Sequence, residues 1–398
     1  MKKSSIAVST LVFLLLSFDA AQAQNKSAQN LIEGVEIIPL AVIRIQSGNP
    51  SLKAAGEDDA SAGYENLSQR TAVNAIFDLG FQKTFKDGAV VFLNLEGGAN
   101  TQKNAGANGI SIAAWDKLTW YTHTEGISEM HITQKFLDDK LSLRIGKFWV
   151  HTEISVSGSG GDFDSNIFNA DEVFLGKYGS YYGAAVKFEP LEYIYIGGQY
   201  QINDIDNVGW DYAAAEFGFK LHIKGNEGAY KIAYWTDNSL GLTKIDDGKR
   251  GASSGLVFTI DQNIKEGISF FARYGAPMSA TEGNDTAIGN NGYSIFGLGF
   301  VVSGSFWSRT QDSAGIGFGQ ITLTGKAADW RFGSENDKSY KSETHFELYY
   351  SYKANDAISF VPSIQFIQNP MGGSVRDISD NSYIDSILAY SLRLMYNF

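Results

Sequence analysis

The chain of 398 residues carries 32 Lys and Arg against 44 Asp and Glu, giving a net charge of −12 at neutral pH, and has no cysteine. That balance offers no basic patch for nucleic acid, and without thiols there are neither disulfides nor thiolate-built zinc or iron–sulfur centres. With 26 Phe, 20 Tyr and 43 Gly against 6 Pro, and no later apolar run of about 18 residues to form a spanning helix, the composition favours a sheet with one face in lipid.

Residues 1–23 read as an export signal. Lys2 and Lys3 make a positive start, 6–18 an apolar stretch too short to span a bilayer, and Ala21-Gln22-Ala23 a small-residue cleavage site. Cleavage leaves a mature chain from Gln24 with 30 basic and 43 acidic residues, a net charge of −13. Residues 24–34 form a short polar lead-in. From 35 to 398 the chain reads as one domain, with no linker and no repeat beyond its hairpin period.

Apolar and polar residues then alternate with period two in stretches of strand length. Strands are predicted near 35–46, 69–81, 87–97, 126–136, 140–148, 180–189, 191–203, 210–223, 227–237, 253–262, 266–275, 292–303, 312–323, 343–354, 356–368 and 383–397. In 344–353, Phe346, Leu348, Tyr350 and Tyr352 alternate with His345, Glu347, Tyr349, Ser351 and Lys353. One face is aromatic and apolar, the other polar, as a strand between lipid and water requires. The gaps alternate in length too. Those at 84–86, 137–139, 190, 224–226, 263–265, 304–311 and 355 are short, and those at 47–68, 98–125, 149–179 and 324–342 are long. A soluble sandwich has no reason for that parity. A closed antiparallel transmembrane β-barrel of about sixteen strands, with short periplasmic turns and long extracellular loops, requires it. The last alternating strand ends at Phe398, placed to join an aromatic girdle at the lipid interface.

If the apolar face meets lipid, the other parity lines the lumen. That puts Arg44, Asp78, Glu96, Glu129, His131, Arg144, Glu216, Lys220, Lys231, Asp261, Arg273, Glu347 and Arg393 inside, a wall of mixed charge that either braces the barrel or contacts solute. Trp210, Tyr212 and Trp235 also fall inward, near Gln199, Gln201 and Glu216. Aromatic rings stack on the C–H faces of sugars while neighbouring polar groups take the hydroxyls, although such rings also pack under folded-in loops. Trp210, Tyr212, Glu216, Trp235, Lys231, Arg144, Arg273, Glu347, Glu129 and His131 are therefore the candidate solute contacts. The long loop at 149–179 is rich in Gly, Ser and Asp and is the candidate constriction. Its Asp162 and Asp164 lack the full ligand set of a hard-cation site and read as solvated. No Ser/His/Asp or zinc-ligand pattern surrounds the five histidines, and no glycine cluster opens a helix. Catalytic residues, metal and cofactor are therefore not expected.

Several segments resemble a known family. Gly255-Leu256-Val257-Phe258-Thr259-Ile260-Asp261-Gln262 followed by Ile268-Ser269-Phe270-Phe271-Ala272-Arg273-Tyr274-Gly275 is similar to a hairpin of the carbohydrate-selective porins of the OprB type. Phe306-Trp307-Ser308-Arg309-Thr310-Gln311-Asp312-Ser313-Ala314-Gly315 resembles that family's following turn. Leu143-Arg144-Ile145-Gly146-Lys147, Glu347-Leu348-Tyr349-Tyr350 and Pro362-Ser363-Ile364-Gln365-Phe366-Ile367-Gln368-Asn369-Pro370 resemble further strands in the same order. The likeness spans most of 126–398. It implies a sixteen-stranded channel for passive uptake of glucose-like mono- and disaccharides, with Arg309 and Asp312 bracing a periplasmic turn. The segment Trp149-Val150-His151-Thr152 departs from the family pattern, so no constriction residues carry over. A general or weakly cation-selective porin is the alternative, and a barrel adhesin or enzyme a third. The expected setting is the outer membrane. The expected partners are small sugars, the bilayer and lipopolysaccharide, with monomer and homotrimer both open.

Overall fold

The computed structural model describes residues 34–49, 52–53, 71–100, 126–169, 174–175, 179–203, 210–238, 253–279, 293–323, 341–373, 376–377 and 382–397. The expected export signal, the lead-in apart from Gly34, and Phe398 lie outside these residues. Among the described residues sixteen long strands close into one antiparallel barrel. They are β1 (Val35–Asn49), β2 (Thr71–Thr84), β3 (Val90–Asn100), β4 (Gly126–Phe136), β5 (Leu141–Trp149), β6 (Ser180–Leu191), β7 (Ile194–Asn203), β8 (Trp210–Ile223), β9 (Asn226–Asp237), β10 (Ser253–Lys265), β11 (Ile268–Ser279), β12 (Tyr293–Ser303), β13 (Ser313–Leu323), β14 (Glu343–Lys353), β15 (Ile358–Gln368) and β16 (Ser386–Asn397). Each pairs with its sequence neighbours, and β1 pairs with β16 to close the ring. A closed ring leaves no strand edge unpaired, the condition for a sheet to cross hydrocarbon.

The alternation read from the sequence sorts the side chains as expected. Outward positions are large and apolar and are exposed on the isolated chain: Tyr182, Tyr200, Tyr234, Phe258, Phe300, Ile316, Phe346, Leu348 and Tyr390. Inward positions are the buried polar ones: Arg44, Gln199, Glu216, Arg273, Glu347 and Arg393. The molecule is thus inside-out relative to a soluble protein. Its hydrophobic belt faces lipid, and its inner surface is polar except where a loop covers it.

Short turns gather at one rim. At Lys224-Gly225 both residues have positive φ, 53° and 83°, the geometry of a two-residue hairpin whose twist matches its strands. The longest turn of this rim, 304–312, contains a 3₁₀ turn at Gly304–Trp307. It is braced as the resemblance implied. Arg309 Nε donates to Asp312 Oδ2 at 2.5 Å and its guanidinium lies 4.3 Å from the Tyr352 ring centre. Asp312 also accepts the Tyr350 hydroxyl at 2.5 Å and the Lys353 amide at 3.0 Å. The Arg309 guanidinium, with these two further donors, holds the Asp312 carboxyl well below the usual carboxylate range. At the opposite rim the loops after β1 and before β16 meet in a two-residue ribbon, Leu52–Lys53 against Arg376–Asp377.

Two outcomes are expected. Leu348, at the middle of β14 and half exposed to lipid, tests the outward belt. Leu348→Lys is expected to cost roughly 2–4 kcal/mol, measured as urea unfolding from phospholipid vesicles. The rim brace has a depressed carboxyl, so its contribution is complete above the ordinary carboxylate pKa and is lost only as pH falls below it. The stability gap between the parent and Asp312→Asn is therefore expected to stay constant down to about pH 4 and to close at lower pH.

Candidate functional site: a loop seated in the barrel lumen

The loop between β5 and β6 folds into the barrel. Val150, Ile154, Phe163, Ile167, Phe168 and Leu175 have no exposed surface, and Phe174 is buried with them. A loop carried into a closed space must find partners for its backbone groups, and the wall supplies them in matched kinds. Carboxylates accept its amides. Glu216 Oε2 takes the Ser155 N–H at 2.6 Å, Asp261 Oδ1 the Ser159 N–H at 3.3 Å, and the two oxygens of Glu347 the Asp164 and Ser165 N–H groups at 2.6 and 2.7 Å. Donors meet its carbonyls. Gln199 reaches Val150 O at 2.6 Å, Trp235 reaches Phe174 O at 3.0 Å, Arg273 reaches Ser155 O at 3.0 Å and Arg393 reaches Asp162 O at 2.7 Å. Lys231 Nζ donates to Val156 O, and Gln201 to Phe148 O at the end of β5, at 2.8 Å.

Beneath the polar contacts lies an aromatic core. Phe163 stands edge-on to Tyr349 of β14 with ring centres 4.7 Å apart, and lies 4.9 Å from Phe168 and 5.5 Å from Phe271 of β11. Each fully buried Phe contributes about 1.5–3 kcal/mol, so the loop is a packed part of the barrel interior. A one-turn helix, Asn166–Asn169, rests against β12 and β13.

The strongest electrostatic feature sits where the barrel closes. Arg44 on β1 and Arg393 on β16 are direct register partners, and both are buried. Two like charges placed opposite one another repel, and in a buried setting the repulsion is poorly screened. Asp164 of the loop lies between them. Its Oδ1 is 3.2 Å from Arg44 Nη2 and 3.7 Å from Arg393 Nη1, and its Oδ2 accepts the hydroxyls of Ser363 (2.7 Å) and Ser391. Asp162 adds a second carboxylate 3.7 Å from Arg393 Nη2. The expectation that Asp162 and Asp164 are solvated loop acids is corrected for Asp164, whose side chain is 1% exposed. Its role is to clasp the first and last strands.

The candidate solute contacts divide into two groups. Tyr212, Glu216, Trp235, Arg273 and Glu347 are almost completely buried under the loop. Tyr212 donates to Leu175 O at 3.5 Å, and the other four hold the loop as described. The polar groups of these residues are turned to the loop backbone. Lys231 also bonds the loop. Arg144, Glu129 and His131 lie on the other side. Arg144 Nη2 pairs with Glu153 Oε1 at the loop's edge at 2.9 Å, and His131 Nε2 lies 3.7 Å from Glu129. Trp210 pairs with Asn203 at the start of β8, and its side chain lies outside the described residues. The loop bonds wall residues of β5, of β7 to β11, of β13 to β16 and of β1. Inward groups of β2–β4 include one bonded set, Asn94 to Asp78 at 3.2 Å and to Ser128 at 2.9 Å. Among the described residues, the loop packs on one side of the lumen, and Asp78, Asn94, Glu129, His131 and Arg144 point inward from β2–β5 on the other.

The sequence also concealed a hydrogen-bonded series. Ser165 Oγ lies 3.4 Å from His345 Nδ1, and His345 Nε2 lies 2.7 Å from Glu343 Oε1. The order is that of a nucleophile, base and acid. All three are sealed, however, at 0%, 1% and 0% exposure, and the Ser165 amide is committed to Glu347. The series seats the loop.

The clasp can be tested directly. Removing one partner from a buried ionic cluster costs roughly 3–5 kcal/mol, so Asp164→Asn is expected to destabilise the folded barrel by that order. The measurement is urea unfolding followed by the gel-mobility shift between folded and unfolded barrel. The cost is expected to shrink when Arg44 and Arg393 are both replaced by Gln. An equal cost in both backgrounds contradicts the clasp.

Comparison with known proteins agrees with this architecture. The model of the carbohydrate-selective porin, OprB family, matches residues 60–394. No curated protein matches the chain. Among solved structures, Pseudomonas putida OprB at high pH is similar with a TM-score of 0.71 at 15% identity, over 92% of this chain and 94% of that one. The outer membrane channel DcaP of Acinetobacter baumannii gives 0.53 at 9% identity, over 92% and 97%. An anion-selective porin from Comamonas acidovorans gives 0.52 at 10% identity, over 92% and 99%. The structural likenesses establish the fold, and the family match runs from before β2 into β16 and includes the folded-in loop: the chain belongs to the carbohydrate-selective porins of the OprB family.

Proposed function

We propose that this barrel sits in the outer membrane and lets small carbohydrates of the mono- and disaccharide class diffuse down their gradient, with no chemical step and no energy coupling. The observation that carries the reading is the loop bonded into the lumen of a porin of this family. It supports a narrow passage bounded by the loop edge on one side and the inner wall of β2–β4 on the other. Glu129, His131, Asp78 and Asn94 on that wall, with Arg144 of β5 beside it, offer donors and acceptors of the kind that sugar hydroxyls require. Arg144, tied to Glu153 at 2.9 Å, joins the loop edge to the wall and is the residue placed to sense a passing solute.

A general, weakly cation-selective pore is the second reading. It is favoured by one observation: the inward groups of β2–β4 include the carboxylates of Asp78, Glu96 and Glu129. A ring of like charge at a constriction selects the opposite ion.

The deciding measurement is single-channel conductance of the refolded chain in planar bilayers, titrated with glucose and maltose. Concentration-dependent block is expected, weakened by Arg144→Ala. Trp235→Phe is expected to leave the block unchanged while costing about 1 kcal/mol of stability through the lost bond to Phe174 O. Steady current without block, together with a cation-selective reversal potential, favours the second reading instead.

A further inference from the structure

A strand interior is an unfavourable place for glycine unless another backbone must approach closely. On β12 and β13 the inward positions are glycine in succession: Gly297 and Gly299 on one strand, Gly315, Gly317 and Gly319 on the other. Register places Gly297 opposite Gly319 and Gly299 opposite Gly317. On the far side of β13, Gly319 is paired with His345, and Gly317 with Glu347. The result is a patch of inner wall without side chains, bordered by two residues of β14 that bond the loop at Ser165 and Asp164.

The one-turn helix of the loop lies on this patch. A Cβ added at Gly297 would stand 2.8 Å from both Ile167 Cγ2 and Ile167 O. At Gly319 it would stand 2.3 Å from Ile167 Cγ2, and at Gly317 2.9 Å from the rings of Phe163 and Phe168. Carbon atoms prefer about 3.5–4.0 Å. Ile167 O is backbone and Cγ2 is fixed to the branched Cβ, so neither can swing aside as the end of a long side chain does. The loop itself must then move away from β12 and β13, toward the centre of the barrel.

We propose that this glycine patch determines the bore: by omitting side chains it sets how deep the loop seats, and so how much room is left between the loop and the wall of β2–β4. The inference rests on the reading of the loop as the constriction of an open channel, and it makes Gly297, Gly317 and Gly319 size-determining positions although none need touch a solute. The clasp at Asp164 and the bonds from Glu347 keep the loop attached, so added bulk beneath it shifts the loop inward without releasing it.

The test is single-channel conductance of Gly297→Ala, Gly319→Ala and Gly319→Val, each confirmed as folded by its gel mobility before and after heating. Gly97→Ala, where an added Cβ meets nothing within 4 Å, serves as the control for placing a side chain on a strand glycine. A graded loss of conductance is expected, with Val below Ala and Ala below the parent, and with Gly97→Ala equal to the parent. The loss from Gly319→Ala is expected to vanish in an Ile167→Ala background, where the Cγ2 that the new Cβ meets is gone. Folded glycine variants with unchanged or raised conductance overturn the inference, as does a loss that persists without the Ile167 side chain. If the parent itself carries no current, the reading of an open channel fails and this inference with it. A parent of normal conductance whose glycine variants match it removes the inference alone.

Discussion

The arrangement of the whole interior depends on one buried charge. Asp164 stands between two arginines that the register brings face to face where the first strand meets the last. Closure of a barrel is driven by pairing its two end strands, and here that pairing places like charges opposite each other. A carboxylate from the middle of the chain offsets the repulsion only when its loop is already inside. Loop insertion and barrel closure are therefore energetically coupled, because a ring closed without the loop would lack the Asp164 carboxylate between the two guanidinium groups. A buried ion pair adds little net stability over a well-packed apolar substitute, yet it is costly to break. That asymmetry suits a component that must stay in place while solute passes it.

The rest of the inner wall follows from the need to satisfy a buried backbone. Soluble proteins bury irregular chain rarely, because its amides and carbonyls have no ladder to join. Here the wall replaces the ladder. Glu216, Asp261 and Glu347 accept N–H groups, and Gln199, Lys231, Trp235, Arg273 and Arg393 donate to carbonyls. The donors and acceptors lie on strands spread round the barrel from β7 to β16, so the loop is held along its length and not at one hinge. Its aromatic side chains meanwhile fill the space that the glycines of β12 and β13 leave open.

The barrel was legible because its physics is periodic. Alternation over sixteen strands, short and long gaps in strict parity and an apolar outer face all follow from local sequence, and each expected strand has its counterpart within a few residues. The interior was less legible because it depends on contacts between residues far apart in the chain. Parity correctly placed Trp235, Tyr212, Glu216, Arg273 and Glu347 inward, but it is silent on whether solute or loop lies in front of them. Asp164 looked like one of several acids on a polar loop, and nothing near it in sequence announces Arg44 and Arg393, roughly 120 and 230 positions away. Two signals were available. One was the succession of glycines at alternate positions from 315 to 319, which predicts a close approach of backbone to that wall. The other was the presence of an inward arginine on both end strands, which closure must bring near each other.

The same reasoning explains how charged residues serve a channel for neutral solutes. If every ionisable group of the wall faced the passage, the pore would present a strong field of mixed sign and hold ions and water firmly. Most of those charges are instead committed to loop backbone or to each other, and their fields are spent over a few ångströms. What remains at the free side is a short polar border, Asp78, Asn94, Glu129, His131 and Arg144, with Arg144 itself tied to Glu153. Such a surface offers hydrogen bonds of both directions. On the reading proposed for this barrel, a polyhydroxyl solute exchanges water for wall there at little net cost. On the same proposal, selectivity comes from how the loop is seated, and its determinants lie beneath the loop as much as along the passage.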